Sequence, residues 1–297
     1  MSILFSGTAT AMITPFGGDG KINFSSMEKM IEYQIENGTD ALVILGTTGE
    51  PATMTEEEKE QLMRFSVEKV AGRAKVIFGT GSNNTAHAVE ASKKAEALGA
   101  DGILAVTPYY NKCTQNGLYE YYRAISESVN IPVLCYNVPS RTGVNILPET
   151  MERIACLENI AGIKEACGNM AQACETMRLI RGKCPMYSGE DSLNLPILAI
   201  GGEGLISVLS NILPHEVKEL YTLVKSRDLT AANKLSDALL PVTDALFCEV
   251  NPIPVKAAAN LIGLDAGEPR APLTPIEPAH LERLTAALEK FGVKLKK

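Results

Sequence analysis

Along the first two-thirds of the chain, short apolar runs rich in β-branched residues alternate with longer stretches whose apolar positions recur every three or four residues. The short runs predict strands at 9–14, 41–45, 75–79, 102–107, 132–137, 160–164, 186–188 and 205–209. The longer stretches predict helices at 25–37, 55–71, 85–98, 117–129, 148–156, 170–181 and 192–200. Thr55 followed by Glu58 has the spacing of a capping box and marks the start of the second helix. Strands that each lead into a helix predict a parallel α/β fold, and a count of eight favours a closed (β/α)8 TIM barrel over an open sheet. No GxGxxG follows the first strand, which removes the usual dinucleotide-binding alternative.

From Pro214 onward the strand signals stop, and 214–226, 229–247, 254–262 and 275–291 read as helices. The expected organisation is a catalytic barrel over 1–225 and a helical C-terminal subdomain over 226–297, with 267–272 as the last connecting loop. At 297 residues the chain has room for one barrel of about 250 residues plus such an appendage.

Composition narrows the partners. Net charge is −7 and no dense Lys/Arg patch occurs, which argues against nucleic acid. Seven scattered cysteines with no CxxC pair read as reduced thiols of a cytoplasmic protein. The opening MSILFSGTATAMITPF lacks a basic leader segment, and the apolar run at 193–213 is broken by Gly201-Gly202-Glu203-Gly204, so neither a signal peptide nor a membrane span is expected. The three histidines have no metal-ligand spacing, so no metal is expected.

In such barrels chemistry sits where the strands end. The predicted ends carry Gly46-Thr47-Thr48-Gly49-Glu50, Thr107-Pro108-Tyr109-Tyr110-Asn111, Tyr136-Asn137-Val138-Pro139-Ser140-Arg141-Thr142-Gly143, Ile163-Lys164-Glu165 and Ser188-Gly189-Glu190-Asp191. Lys164 closes an apolar strand, where lost hydration lowers an ammonium's pKa and frees an amine to attack a carbonyl. Its ordinary alternative is a lysine that snorkels to solvent or pairs with Glu165, the commoner case for a lysine taken alone. Thr47-Thr48 offers hydroxyls and a tight turn for a small carboxylate, or merely a polar turn. Tyr110 and Tyr136 offer phenols for proton transfer, or aromatic packing at the barrel mouth. Arg141 is suited to fork onto a carboxylate, or to sit exposed in its loop. Each signal is weak alone; their coincidence on one rim is what points to a catalytic face.

With these motifs, GTTGE, TPYYN, YNVPSRTG and IKE, in order, the whole chain resembles the dihydrodipicolinate synthase family, within the pyruvate-dependent N-acetylneuraminate lyase superfamily. The resemblance implies a lyase that condenses pyruvate with L-aspartate 4-semialdehyde in the diaminopimelate and lysine pathway, using no cofactor beyond a covalent Schiff base. It implies that Lys164 forms the imine, that Tyr136 is the general acid/base, and that Thr47 and Tyr110 relay protons. In the family that tyrosine reaches in from a neighbouring subunit, which implies a homo-oligomer, commonly a tetramer built as a dimer of dimers. Thr48 would hold the pyruvate carboxylate and Arg141 that of the aldehyde. Ile206 matches a position whose carbonyl faces the lysine, and Gly189 falls among the substrate-binding positions.

Many members bind L-lysine as an inhibitor at the dimer interface. Asn83 and Tyr109 match that site, whereas Lys59 and His87 replace uncharged or acidic residues, so lysine inhibition is expected to be weak or absent. Sialic acid lyases and 2-keto-3-deoxy sugar-acid aldolases share the barrel and the lysine, but lyases of the first kind lack the arginine at position 141. A non-catalytic carboxylate-binding barrel is the reading from another class.

Overall fold

The structure, a computed structural model, describes residues 3–296; Met1 and Ser2 of the N-terminal stretch read for a leader, and Lys297, lie outside the described residues. Eight strands pair in chain order and close on themselves: β1 (Gly7–Ala11), β2 (Ala41–Ile44), β3 (Lys75–Gly79), β4 (Gly102–Val106), β5 (Val133–Asn137), β6 (Ile160–Glu165), β7 (Met186–Ser188) and β8 (Gly204–Ser207). Every pairing is parallel, and β8 returns to β1 through Gly7↔Gly204 to Thr10↔Ser207. All residues of β1, β2, β5, β6 and β8 are buried, as strands covered outside by helices and inside by the barrel's own side chains must be.

The helices α1 (Phe24–Glu36), α2 (Glu56–Val70), α3 (Thr85–Ala97) and α4 (Gln115–Ser126) follow the first four strands. A short α5 (Pro139–Thr142) and then α6 (Pro148–Ile154) follow β5; α7 (Met170–Ile180) and α8 (Asn194–Ala199) follow β6 and β7. The capping box of α2 is formed in both directions, Thr55 Oγ1 accepting from Glu58 N at 3.2 Å and Glu58 Oε2 from Thr55 N at 2.9 Å. After β8, α9 (Pro214–Lys225) packs on β1 and β8, while α10 (Leu229–Leu246), α11 (Ile253–Leu261) and α12 (Pro278–Phe291) pack on one another. No helix among the described residues is long and apolar enough to cross a membrane.

Most element boundaries fall within two residues of expectation, and the larger differences have local causes. The first strand runs over Gly7–Ala11 rather than 9–14, because its ladder with β8 begins at Gly7, and Met12 onward leaves the barrel toward the rim. The eighth ends at Ser207 rather than 209, because the Asp191 carboxylate takes the N–H groups of Val208 and Leu209, both at 2.9 Å, out of the ladder. The helix expected from 192 begins at Asn194, after a 3₁₀ turn over Asp191–Leu193.

One irregularity sets the register of the rim. The β5–β6 pairing starts at Val133↔Ile160 but continues as Leu134↔Gly162, leaving Ala161 as an extra residue, a bulge. Gly162 sits there at φ 148°, where an added Cβ would lie 2.8 Å from the Pro185 carbonyl oxygen. Beyond the bulge, Tyr136 pairs with Lys164 and Asn137 with Glu165.

The C-terminal helices are tied to the barrel by a buried ion pair. Lys256 on α11 donates to Glu50 Oε1 (2.9 Å) and to the Thr14 and Glu268 carbonyls (3.0 Å each), and the side chains of Lys256 and Glu50 are 1% and 2% exposed. The other Glu50 oxygen accepts the Arg270 N–H at 2.8 Å, and Arg270 reaches on to Glu58 and the Gly20 carbonyl. Both cations stand 4.2 Å from the Phe16 ring centroid. The 267–272 loop, expected only to connect, is thus part of the clamp on the GTTGE turn. Removing one member of such a pair strands the other charge out of water. We expect Lys256→Met to lower stability by about 3–5 kcal/mol, measured by urea unfolding; a midpoint equal to that of the parent would contradict this account of the clamp.

Candidate active site

The end of β6 delivers Lys164 into the closed barrel, 5% exposed, with its Nζ 4.3 Å from the centroid of the Tyr136 ring on the adjoining strand. Burial lowers the Lys164 pKa to about 8; Asp191 and Glu190 pull it back up, while Arg141 pushes it further down. Roughly a tenth of the amine is then free at pH 7, compared with a few parts in ten thousand for an ordinary lysine. Room for the lysine stem comes from Gly189, where an added Cβ would lie 2.8 Å from both Cγ and Cε of Lys164. The Gly189 N–H is engaged with the Glu165 carbonyl at 2.8 Å.

Tyr136, 7% exposed, has its phenol pushed up to about 12 by burial, against the lowering effect of the Arg141 charge and a hydrogen bond with Thr47, while Glu190 raises it further. It is therefore protonated at neutral pH and able to donate. Thr47 and Thr48 lie in a 3₁₀ turn that leaves β2, flanked by Leu45 and Glu50 in left-handed conformation. Thr48 is buried, and its Oγ1 accepts from Asn251 Nδ2 at 2.9 Å. Arg141, exposed on α5, donates to the Asn251 main-chain carbonyl at 3.2 Å.

A second polar layer backs this pair. Asn137 Nδ2 donates to Glu165 (3.0 Å) and to Asn145 Oδ1 (2.9 Å), and Asn145 exchanges hydrogen bonds with Gln172. Burial raises the Glu165 carboxyl, against hydrogen bonds from Cys167 and Asn137. Glu165 is thus engaged with Asn137 rather than with Lys164, which disposes of the ordinary ion-pair alternative for that lysine.

The structure brings together Lys164, Tyr136, Thr47, Thr48, Arg141 and Gly189. Ile206 is buried on β8, opposite Ala9. Tyr110 is not gathered in: it stands outside the site, 91% exposed, on a left-handed backbone at φ 69°. Tyr109 is 40% exposed beside it. Asn83 accepts from Asn111 through its carbonyl, His87 is exposed on α3, and Lys59 pairs with Glu56 at 2.7 Å. Among the described residues no group of three or more His, Cys, Asp or Glu is arranged to hold a metal ion. Sequence reading gave no role to Glu190, Asp191 or Asn251. The acidic pair directly after Gly189 at a strand end was a usable signal; Asn251, in a segment read as plain helical tail, carried none.

The low Lys164 pKa makes a stability prediction that does not depend on any reaction. Its folded pKa, about 8, lies below the ordinary lysine value of 10.5, so folding with the ammonium charged is penalised in full below pH 8. The penalty shrinks between pH 8 and 10.5 and is absent above. We expect Lys164→Met to gain roughly 1–3 kcal/mol at pH 7 and nothing above pH 10.5. Denaturant titrations at both pH values decide it, and a variant less stable than the parent at pH 7 would show the amine is not desolvated.

Residues 4–291 match the model of the dihydrodipicolinate synthetase family. The chain is 48% identical over 296 residues, 99% of each sequence, to the 4-hydroxy-tetrahydrodipicolinate synthase of Caldicellulosiruptor bescii. It is 49% identical over 290 residues to that of Alkaliphilus oremlandii, covering 98% of this chain and all of the other. The crystal structure of dihydrodipicolinate synthase from Aquifex aeolicus superposes with a TM-score of 0.96 at 42% identity, over 99% of this chain and 100% of that one. The chain belongs to the dihydrodipicolinate synthetase family.

Proposed function

We propose that the protein is a lyase that condenses pyruvate with L-aspartate 4-semialdehyde to 4-hydroxy-tetrahydrodipicolinate through an imine on Lys164. The observation that carries this is the desolvated Lys164 amine set against the protonated Tyr136 phenol. The Lys164 nitrogen bonds to the keto carbon of pyruvate, and the keto oxygen leaves as water with a proton from Tyr136. The iminium draws electrons from the pyruvate methyl group, which loses a proton and becomes an enamine. That carbon bonds to the aldehyde carbon, whose oxygen takes a proton and becomes the hydroxyl. The amine of the second substrate then attacks the iminium carbon, closes the ring and expels Lys164. The cycle joins two substrates and releases one water, with no added cofactor.

Thr48 is the group for the pyruvate carboxylate and Arg141 for that of the aldehyde, since both substrates bring anions to a rim where a buried hydroxyl and a guanidinium meet. Thr47 and Tyr110 complete a relay to solvent, and Gly189 and Ile206 line the lysine. Tyr110 reaches this relay only from a neighbouring copy. An exposed tyrosine held on a left-handed backbone supports that placement, and with it a homo-oligomer; a dimer of dimers in the cytoplasm is what the family resemblance implies.

Asn83 and Tyr109 belong to a lysine-binding region that Lys59 and His87 make inhospitable to a cation. The Glu56 carboxyl there is held below its usual range chiefly by its hydrogen bond with Lys59, against the effect of burial, with the Lys94 and His87 charges adding to it. A sugar-acid aldolase is the reading next in order, and Arg141 tells against it.

Borohydride reduction with pyruvate should fix one adduct, mapped by peptide mass spectrometry to Lys164, and its rate should climb with pH through about 8 and then level. An adduct elsewhere, or none, overturns the mechanism. Tyr136→Phe should lower kcat by about 10²–10³, read in an assay coupled to reduction of the product. In the same assay, half-inhibition should need L-lysine above about 1 mM; sub-millimolar inhibition would show that Lys59 and His87 do not block that site.

A further inference from the structure

A threonine hydroxyl has one proton to donate and two lone pairs with which to accept, so whichever neighbour it meets first fixes what it can offer a ligand. Thr48 meets Asn251. The Asn251 Nδ2 donates to Thr48 Oγ1 at 2.9 Å, and the two residues are 6% and 3% exposed. That contact fills a lone pair and leaves the hydroxyl proton for an incoming anion. The other half of the amide, Asn251 Oδ1, is buried with no hydrogen-bond partner. A buried carbonyl oxygen without a partner costs stability, so stability alone does not account for an amide here. Keeping the amide makes sense if its donor is in use. The same residue's main-chain carbonyl accepts from Arg141 at 3.2 Å, so one position far along the chain touches both anion-binding groups.

We infer that Asn251 is a positioning residue that holds the Thr48 hydroxyl in donor orientation toward the pyruvate carboxylate. The inference rests on the reading that Thr48 binds pyruvate. Aspartate at this position can only accept when ionised. It would turn the Thr48 proton toward itself and withdraw it from the substrate.

The test is steady-state kinetics of the full chain carrying N251D, N251A, T48V and the T48V/N251D pair, with thermal unfolding followed for each. N251D should raise KM for pyruvate about 10- to 100-fold with kcat changed less than about fivefold, and N251A should raise KM only about 3- to 10-fold. On top of T48V, N251D should add less than about threefold, because the hydroxyl it acts through is gone. Equal KM effects of N251D and N251A overturn the inference, as does a full N251D effect in the T48V background, which would mean simple charge repulsion. Should N251D fail to fold, N251A decides: an unchanged KM for pyruvate overturns the role. If T48V alone leaves KM for pyruvate unchanged, the Thr48 assignment fails first. A normal T48V effect with an inert Asn251 sinks only the present inference.

Discussion

A primary amine must be kept out of water yet close to carboxylates, and most of what surrounds Lys164 answers to that demand. Full desolvation would leave the amine free but unable to hold a proton when an iminium must form. Full solvation would leave it an inert cation. Burial sets the direction, while Asp191 and Glu190 limit the fall and Arg141 opposes them. Asp191 holds its place by capping the N–H groups that end β8, so the group that moderates the amine also finishes the barrel. Gly189 belongs to the same constraint, since any side chain there would occupy the space of the lysine stem.

The proposed reaction must also hold two carboxylates, and the residues we assign to them come from distant segments. The turn after β2 supplies Thr48, the helix after β5 supplies Arg141, and the approach to α11 supplies the Asn251 that touches both. Gly49 and Glu50 close the same turn, and Glu50 is locked by Lys256 of α11, five residues after Asn251. The C-terminal helices are therefore not an appendage to the chemistry. Their segment reaches the GTTGE turn twice, through the Lys256–Glu50 ion pair and through the Asn251 amide just before α11.

Much of this was legible in the chain. Short continuous apolar runs located the strands and period-3.6 patterns the helices, because barrel strands are buried on both sides and helices on one. Lys164 and Tyr136 could be placed at the rim because each closes an apolar run. Asn251 was illegible, for its partners lie 203 and 110 residues away and its own surroundings read as helix and turn. Strand position marked Tyr110 only as a rim residue; that it points away from its own site was implied by the family resemblance, since strand position says nothing about a left-handed turn after the strand. The extra residue at Ala161 left no compositional mark beyond the glycine that follows it.

That extra residue makes the inside and outside of β6 a question of phase. Counted evenly from Val133↔Ile160, Ile163 would stand beside Tyr136, and Lys164 would stand beside Asn137. The bulge advances the count by one and exchanges those assignments. Grafting the six residues of β6 into a regular barrel would therefore transplant the letters without the function, an aliphatic group arriving where the amine belongs. What has to be inherited is an odd number at one point in the ladder, and Gly162 is the residue that lets the backbone take that step.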